Sequence, residues 1–259
     1  MAIRDGIYSC AYMLWLLIPA AFAAGVTDAV AGGGGLITLP ALLAAGLPPH
    51  LALGTNKGQA VFGSATALWR YARAGLVERA HARAAFPAGF AGSLLGAWLV
   101  LFVSPAALRP LVLVLLVAAA LVVALRPARM PARVRSPRHA LLVASGIGLA
   151  IGAYDGFFGP GTGTFLILAF AFFFGSDFAR ASADAKVVNF ASNLAAVMLF
   201  ARRGVVAWQI ALPMAAAQFA GAWRGAHMVV REGERFVRRI LLLVVLALVV
   251  KLSLDLVRG

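Results

Sequence analysis

Cysteine and histidine are scarce in this chain of 259 residues. The one cysteine, Cys10, excludes an internal disulfide framework and a cluster of thiolate metal ligands. The four histidines are never three or four residues apart, so no helical pair of imidazoles is available to hold a metal ion. We therefore expect no metal and no cofactor.

Charged residues are also few, at 12% of the chain, whereas hydrophobic residues make up 63%. The mean hydropathy is +0.92. Soluble domains are about 45–50% apolar, so one water-soluble core cannot account for this composition. Apolar runs separated by short charged segments are typical of an all-α protein that crosses the membrane several times.

Acidic residues number 9 against 23 lysines and arginines, which gives a formal net charge of +14. This excess could indicate a nucleic-acid-binding protein. The basic residues, however, concentrate in short segments at 70–83, 126–138 and 231–239, where they would hold loops in the cytoplasm. No aromatic residues alternate with them to stack on bases. We expect the lipid bilayer as a partner, and no nucleic acid.

Ten apolar runs can be distinguished, and eight are long enough to cross a bilayer as helices. The runs at 36–47 and 164–175 have only 12 residues each, short of the roughly 20 that a helical span requires. Each short run follows a glycine-rich stretch, at 32–35 and 159–163. The pattern therefore predicts two short half-helices, each preceded by a break in the backbone.

The chain repeats itself. Residues 25–28 (GVTD) match residues 152–155 (GAYD), and at an offset of 129 Lys57 pairs with Lys186. The same register aligns two GxxxG motifs, Gly92/Gly96 and Gly221/Gly225, which we interpret as helix-packing surfaces. Arg224, inside the second motif, has no assigned role.

We predict one membrane domain, residues 1–259, built from two homologous halves. The first repeat spans 8–125, a basic cytoplasmic linker spans 126–139, and the second repeat spans 140–257. Each half would contain four long transmembrane helices and one short half-helix.

Two topologies fit this pattern. If each short run crosses the membrane, every half has five passes, the halves are inverted, and all three basic loops are cytoplasmic. If each short run is only re-entrant, there are eight spans and 231–239 lies outside. The five-plus-five arrangement is favoured, because inverted repeats with broken helices recur among secondary transporters.

The glycine-rich breaks are the best candidates for a binding site. Irregular backbone at membrane depth is tolerated only where it packs in protein or lines a wet cavity. A half-helix that starts there directs free N–H groups and its positive dipole end at the break, which favours an anion. Close helix packing or a simple kink is the alternative interpretation. The candidate substrate-binding positions are Gly32, Gly33, Gly34, Gly35, Gly159, Gly161, Thr162 and Gly163.

Ionisable residues inside apolar runs are a second signal, because each is costly unless paired. Lys57 and Lys186 are either counter-charges for a bound anion or members of ion pairs with aspartates. Asp28 and Asp155 precede the breaks, where they either tether loop N–H groups or carry a coupling proton. Polar residues after each lysine, including Gln59 and Asn193, are equally well explained by hydrogen bonds between helices.

Residues 31–40 (AGGGGLITLP) and 52–57 (ALGTNK) resemble the sulfite exporter TauE/SafE family, especially its YfcA-like members. Residues 159–163 (GPGTG) and 183–189 (ADAKVVN) are also similar to that family, and the likeness extends from about residue 14 to 257. It implies a multi-pass carrier of the bacterial inner membrane that exports sulfite, organosulfonates or related small anions. By position it adds five residues to the candidate site: Thr55, Asn56, Lys57, Lys186 and Asn189.

A secondary transporter, and not an enzyme, is the favoured function. The alternatives are a passive anion channel, a membrane-embedded assembly partner and, least favoured, an intramembrane hydrolase using Ser64 and His227. The sequence leaves open the substrate, the coupling ion, the direction of transport and the oligomeric state, a homodimer included.

Overall fold

The computed structural model of the protein describes residues 2–108, 110–111, 114–115, 137–233, 236–237 and 239–240. Residues 126–136 of the predicted linker lie outside these ranges. So does most of the last apolar run of each predicted half, 108–125 and 236–257.

The described ranges contain eight complete helices and no strand. The order is long, short, long, long from residue 2 to 100, and again from 137 to 232. The helices are α1 (Ala2–Ala31), α2 (Gly35–Ala44), α3 (Pro49–Arg73), α4 (Arg79–Val100), α5 (Pro137–Phe157), α6 (Thr162–Phe174), α7 (Phe178–Arg202) and α8 (Trp208–Glu232). The two short runs found in the sequence are α2 and α6, with 10 and 13 residues.

Local sequence explains how the short helices and their successors start and stop. Gly161 and Gly175 bracket α6 with φ values of 83° and 65°, a left-handed conformation that suits glycine. Pro49 occupies the first position of α3. An N–H group at that position has no partner within the helix, so its absence in proline costs no hydrogen bond. Asp177 caps α7 by accepting a hydrogen bond of 2.9 Å from the Arg180 N–H group.

The surface carries large apolar side chains, and the interior contains polar and charged side chains beside its apolar clusters. Trp15 is 80% exposed and Leu142 is 70% exposed, whereas Gln59 and Lys186 are completely buried. Leu14–Ala31 and Arg138–Phe157 are long and apolar enough to cross a bilayer, judged by length and composition. An apolar exterior around a polar centre suits a chain surrounded by lipid. The count of eight long spans stays a prediction.

Glycine allows two pairs of long helices to pack closely, α1 against α8 and α4 against α5. A Cβ atom added to Gly96 would lie 1.9 Å from the Ala153 carbonyl oxygen. One added to Gly221 would lie 2.1 Å from the Phe22 carbonyl oxygen. The prediction that the GxxxG motifs are packing surfaces is confirmed, and both interfaces exclude any larger residue.

Contacts along α3 show which loops share an end of the molecule. Near its start, the Thr55 hydroxyl accepts a hydrogen bond of 3.0 Å from the Ala207 N–H group, in the loop after α7. Near its end, Arg70 contacts His227, close to the end of α8. These positions are about 22 Å apart along the helix. The loop after α7 and the end of α8 therefore lie at opposite ends of the molecule.

Replacing Gly96 with Ala should destabilise the protein by about 1–3 kcal/mol, because the new methyl group collides with the α5 backbone. Gly146→Ala is the matched control, since a Cβ atom there meets nothing within 4 Å. It should be neutral or slightly stabilising through helix propensity. Apparent Tm values in detergent test this, and equal values for the two variants would contradict the packing argument.

Candidate functional site

The two glycine-rich breaks meet at the centre of the molecule. Gly32 has a φ of +76°, and a Cβ atom there would lie 2.1 Å from the Gly163 carbonyl carbon. A Cβ atom on Gly163 would in turn lie 2.4 Å from the Gly32 Cα atom. The backbones touch here, so glycine is required at both positions for steric reasons.

Hydroxyl groups satisfy the backbone carbonyls at the buried end of α1. The last four carbonyls of a helix have no intrahelical partner, and water is scarce at membrane depth. Here the Tyr71, Thr164 and Ser182 hydroxyls donate to the carbonyls of residues 29, 31 and 30, at 2.7, 2.6 and 3.2 Å. Three different helices thus stabilise the break after α1.

Two buried ion pairs cross beside these breaks. Lys57 Nζ lies 2.6 Å from Asp155 Oδ1, and Lys186 Nζ lies 2.8 Å from Asp28 Oδ2. All four residues are at most 7% exposed. Each pair joins a lysine on the third helix of one set of four to an aspartate on the first helix of the other set. The four charges sum to zero, which is what makes their burial tolerable.

The ion pairs bear on interpretations that the sequence left open. Both lysines are neutralised by aspartates in this conformation, so neither offers an unpaired charge to an anion. Asp28 and Asp155 accept hydrogen bonds from lysines, and none from a loop N–H group within the described residues. The tethering role predicted for the aspartates is therefore not seen there.

Amide and hydroxyl groups complete the coordination of the charges. Lys57 donates a second hydrogen bond to Asn193 Oδ1 at 3.1 Å, and Lys186 donates one to Asn189 Oδ1 at 3.3 Å. The Ser192 hydroxyl donates to Asp155 Oδ2. Each lysine therefore has an alternative oxygen ligand beside its aspartate.

A separate amide network leaves two acceptors unused. Thr38 Oγ1 lies 2.6 Å from Asn56 Oδ1, which also accepts from Gln59 Nε2 at 3.2 Å. The Oε1 atoms of Gln59 and Gln218 are buried and have no hydrogen-bond partner among the described residues. A buried acceptor without a donor is unfavourable, so these two atoms favour the binding of a polar molecule beside them.

A small cavity connects the breaks, the charges and the two glutamines. Its volume is about 20 Å³, enough for roughly one water molecule. Of the predicted site residues, nine line it: Asp28, Gly32, Gly35, Asn56, Lys57, Asp155, Gly159, Gly163 and Asn189.

Comparison with known proteins matches the amino-acid sequence to one family. The family described as "Sulfite exporter TauE/SafE" matches residues 17–252. The chain belongs to the TauE/SafE family. It is therefore a membrane protein of a transporter family. No solved structure matches it.

Several curated relatives share nearly the whole chain. A protein of Sinorhizobium named "Probable membrane transporter protein ORF9" is 38% identical over 244 residues, 94% of each chain. "Probable membrane transporter protein YfcA" of Escherichia coli K12 is 37% identical, over 94% of this chain and 90% of its own. A "Probable membrane transporter protein" of Haemophilus influenzae is 36% identical, over 94% and 95%.

Other predicted site residues of this TauE/SafE protein have different surroundings. The Thr55 hydroxyl binds the loop after α7, and the Thr162 hydroxyl donates to the Gly159 carbonyl at 2.6 Å. Lys186 does not line the cavity, although its partner Asp28 does. The remaining glycines, Gly33, Gly34 and Gly161, also lie outside that lining.

Four lining residues were not predicted as site residues: Gln59, Ala60, Asn193 and Gln218. Gln59 and Asn193 were noted only as polar positions on their helices. Gln218 was missed, although a lone amide within an apolar helix is itself a signal of a buried polar site. Ala60 carries no such signal.

Removing one member of an ion pair should destabilise the protein more than removing both members. Lys57→Met leaves Asp155 buried without its counter-charge and should destabilise the protein by about 3–5 kcal/mol. Adding Asp155→Asn should recover part of this loss, because the second substitution removes the stranded charge. Apparent Tm values of the two single variants and the double variant test the coupling, and additive losses would contradict it.

Proposed function

We propose that this chain is a secondary transporter that carries small anions across the bacterial inner membrane, with sulfite or organosulfonates as substrates and cellular export as its role. The observation that carries the proposal is the pair of crossed lysine–aspartate contacts around a buried cavity at two helix breaks. Membership of the TauE/SafE family supports transport, and its description supports the choice of sulfur oxyanions.

The charge balance implies how such a site would bind an anion. An anion that approaches Lys57 replaces Asp155 as the counter-charge, and leaves that carboxylate buried and unpaired. A buried unpaired carboxylate is stabilised by taking up a proton. One monoanion and one proton therefore enter the site together, and the loaded site stays neutral. Because the two cross in the same direction, net export requires an outward anion gradient that exceeds the inward proton gradient.

The surroundings of the lysines suit an oxyanion. Gly34 and Gly161 are the N-caps of α2 and α6, so the N-terminal ends of both half-helices face the breaks. Their N–H groups and dipoles favour negative charge. The free Oε1 atoms of Gln59 and Gln218 would accept a hydrogen bond from an anion that carries a proton donor, such as hydrogen sulfite.

Access requires movement, because a cavity of about 20 Å³ is too small for a sulfur oxyanion. We infer that the two sets of helices are inverted repeats that rock about the central breaks. Their matching order of helices supports this, as does the reciprocal packing of α1 on α8 and α4 on α5. A closed centre also favours a carrier over an open pore.

The five-plus-five topology follows from the same inference. Trp69 at the end of α3 stacks on Trp223 of α8, with ring centroids 5.3 Å apart. The arginine-rich segments at 70–83 and 231–239 therefore share one end of the molecule, which we assign to the cytoplasm. The eight-span arrangement would put these two segments on opposite sides.

Transport in proteoliposomes tests the site and the coupling together. A monoanionic sulfonate such as 2-hydroxyethanesulfonate carries no titratable proton at neutral pH, so proton movement must come through the carrier. With the anion outside, we expect saturable uptake, and acidification of the lumen by about one proton for each anion. Replacing both Lys57 and Lys186 with Ala should abolish the uptake.

Two variants separate the parts of the mechanism. Asp155→Asn should allow uptake without acidification, because its site no longer takes up a proton. Glu232→Gln, at the exposed end of α8, should behave as wild type. Absence of anion uptake, or uptake unchanged in the double lysine variant, contradicts the proposed site. Uptake by wild type without acidification contradicts the proton step alone.

Cysteine labelling tests the topology. In a Cys10→Ser background, Arg203→Cys in the loop after α7 should react with a membrane-impermeant maleimide added to intact cells whose outer membrane has been permeabilised. Glu232→Cys should react only after the inner membrane is opened. Both positions are exposed in the fold, so burial does not bias the comparison. The reverse pattern contradicts the five-plus-five arrangement.

A further inference from the structure

A groove lies on the outer surface and shares no lining residue with the central cavity. The ends of α3 and α8 form a groove of about 510 Å³. Five residues line it: Arg70, Trp223, Arg224, His227 and Met228. None of them belongs to the proposed transport site, so the groove requires an explanation of its own.

Arg224 is the unusual member of this set. Its side chain is exposed and has no hydrogen bond or ion pair within the described part of the chain. α8 also carries exposed apolar side chains: Phe219 at 50%, Trp223 at 39% and Val230 at 39%. A guanidinium on a lipid-facing surface is unfavourable without a counter-charge. No described residue supplies that counter-charge.

The other cation of the groove, Arg70, is held by an aromatic ring and a histidine. The Arg70 guanidinium lies 4.6 Å from the centroid of the Trp223 ring and 2.5 Å from His227 Nδ1. Because arginine can only donate, Nδ1 of His227 is the acceptor. The neutral ring then carries its proton on Nε2, where it is available to a further acceptor. Both arginines and the histidine thus offer donors to one negatively charged group.

The position of the groove selects the ligand. It opens at the molecular end that carries the basic segments, and Trp69 and Trp223 stack beside it. Tryptophan concentrates at the boundary between acyl chains and headgroups. Basic pockets between helices at this depth bind anionic lipid headgroups. Apolar walls with arginines at the rim suit a phosphodiester joined to acyl chains better than a free anion.

We propose that this groove binds the headgroup of an anionic phospholipid, with its phosphate between Arg224, Arg70 and His227. The guanidinium of Arg224 is the main ligand, because it is the cation without another partner. The bound lipid bridges α3 and α8, which belong to different halves of the predicted repeat. It thereby supplies the negative charge that the described protein lacks on this surface.

Thermal unfolding of the purified full chain in a neutral detergent tests the proposal. Phosphatidylglycerol should raise the apparent Tm of wild type by about 5 °C at saturation, because it binds the folded state. Phosphatidylcholine and inorganic phosphate should each leave it unchanged. Arg224→Gln should lose most of the rise, and Arg224→Lys should keep part of it. Arg203→Gln is the matched control at the opposite end of the molecule and should respond as wild type.

Native mass spectrometry provides a second measurement that does not depend on stability. Wild type and Arg203→Gln should each retain one phosphatidylglycerol at detergent concentrations where Arg224→Gln retains none. Equal retention or equal stabilisation of Arg224→Gln and wild type overturns the proposal. Stabilisation by inorganic phosphate overturns the lipid as occupant. Loss of a dimer in Arg224→Gln, without any lipid effect, shows instead that a second copy covers the groove.

Discussion

The burial of two lysines at the centre of the molecule is the constraint on which the rest of the structure depends. Lys57 and Lys186 are each the ninth residue of a 25-residue helix, so their ammonium groups cannot reach the ends of α3 or α7. They must be neutralised inside the protein, and the aspartates that do so belong to α1 and α5. Each set of four helices therefore contains one buried lysine that is neutralised by an aspartate of the other set.

This constraint explains why the helices break where they do. Asp28 and Asp155 must approach the ninth residues of α7 and α3, and α1 and α5 end shortly after these aspartates. The chain then turns through Gly32 or Gly159, both with positive φ, and returns as α2 or α6. Since the two turns touch each other, a side chain at Gly32 would separate the breaks, and with them both ion pairs. Steric and electrostatic requirements thus act on the same few residues.

The sequence predicted those features of the site that depart from a regular apolar membrane helix within a single segment. Four glycines in succession, a 12-residue apolar run and a lysine in an apolar segment are each visible without a partner. Which aspartate neutralises which lysine was not predictable, because the partners are 98 and 158 residues apart. Thr55 was misleading for the same reason: its hydroxyl is used by Ala207, 152 residues away. The periodicity of the sequence indicates where helices and breaks lie. Which side chains pair depends on how the helices pack against one another.

The two sides of the centre differ in one respect that bears on the proposed transport cycle. Gln59 and Gln218 face the cavity, whereas the repeat register places Val188 and Gly89 at the equivalent positions. The ion pairs are reciprocal, but the free amide acceptors are on one side only. An anion with a proton donor therefore gains hydrogen bonds in one orientation that the opposite orientation lacks. In the proposed mechanism, the charges allow an anion to bind, and the two glutamines determine its orientation in the site.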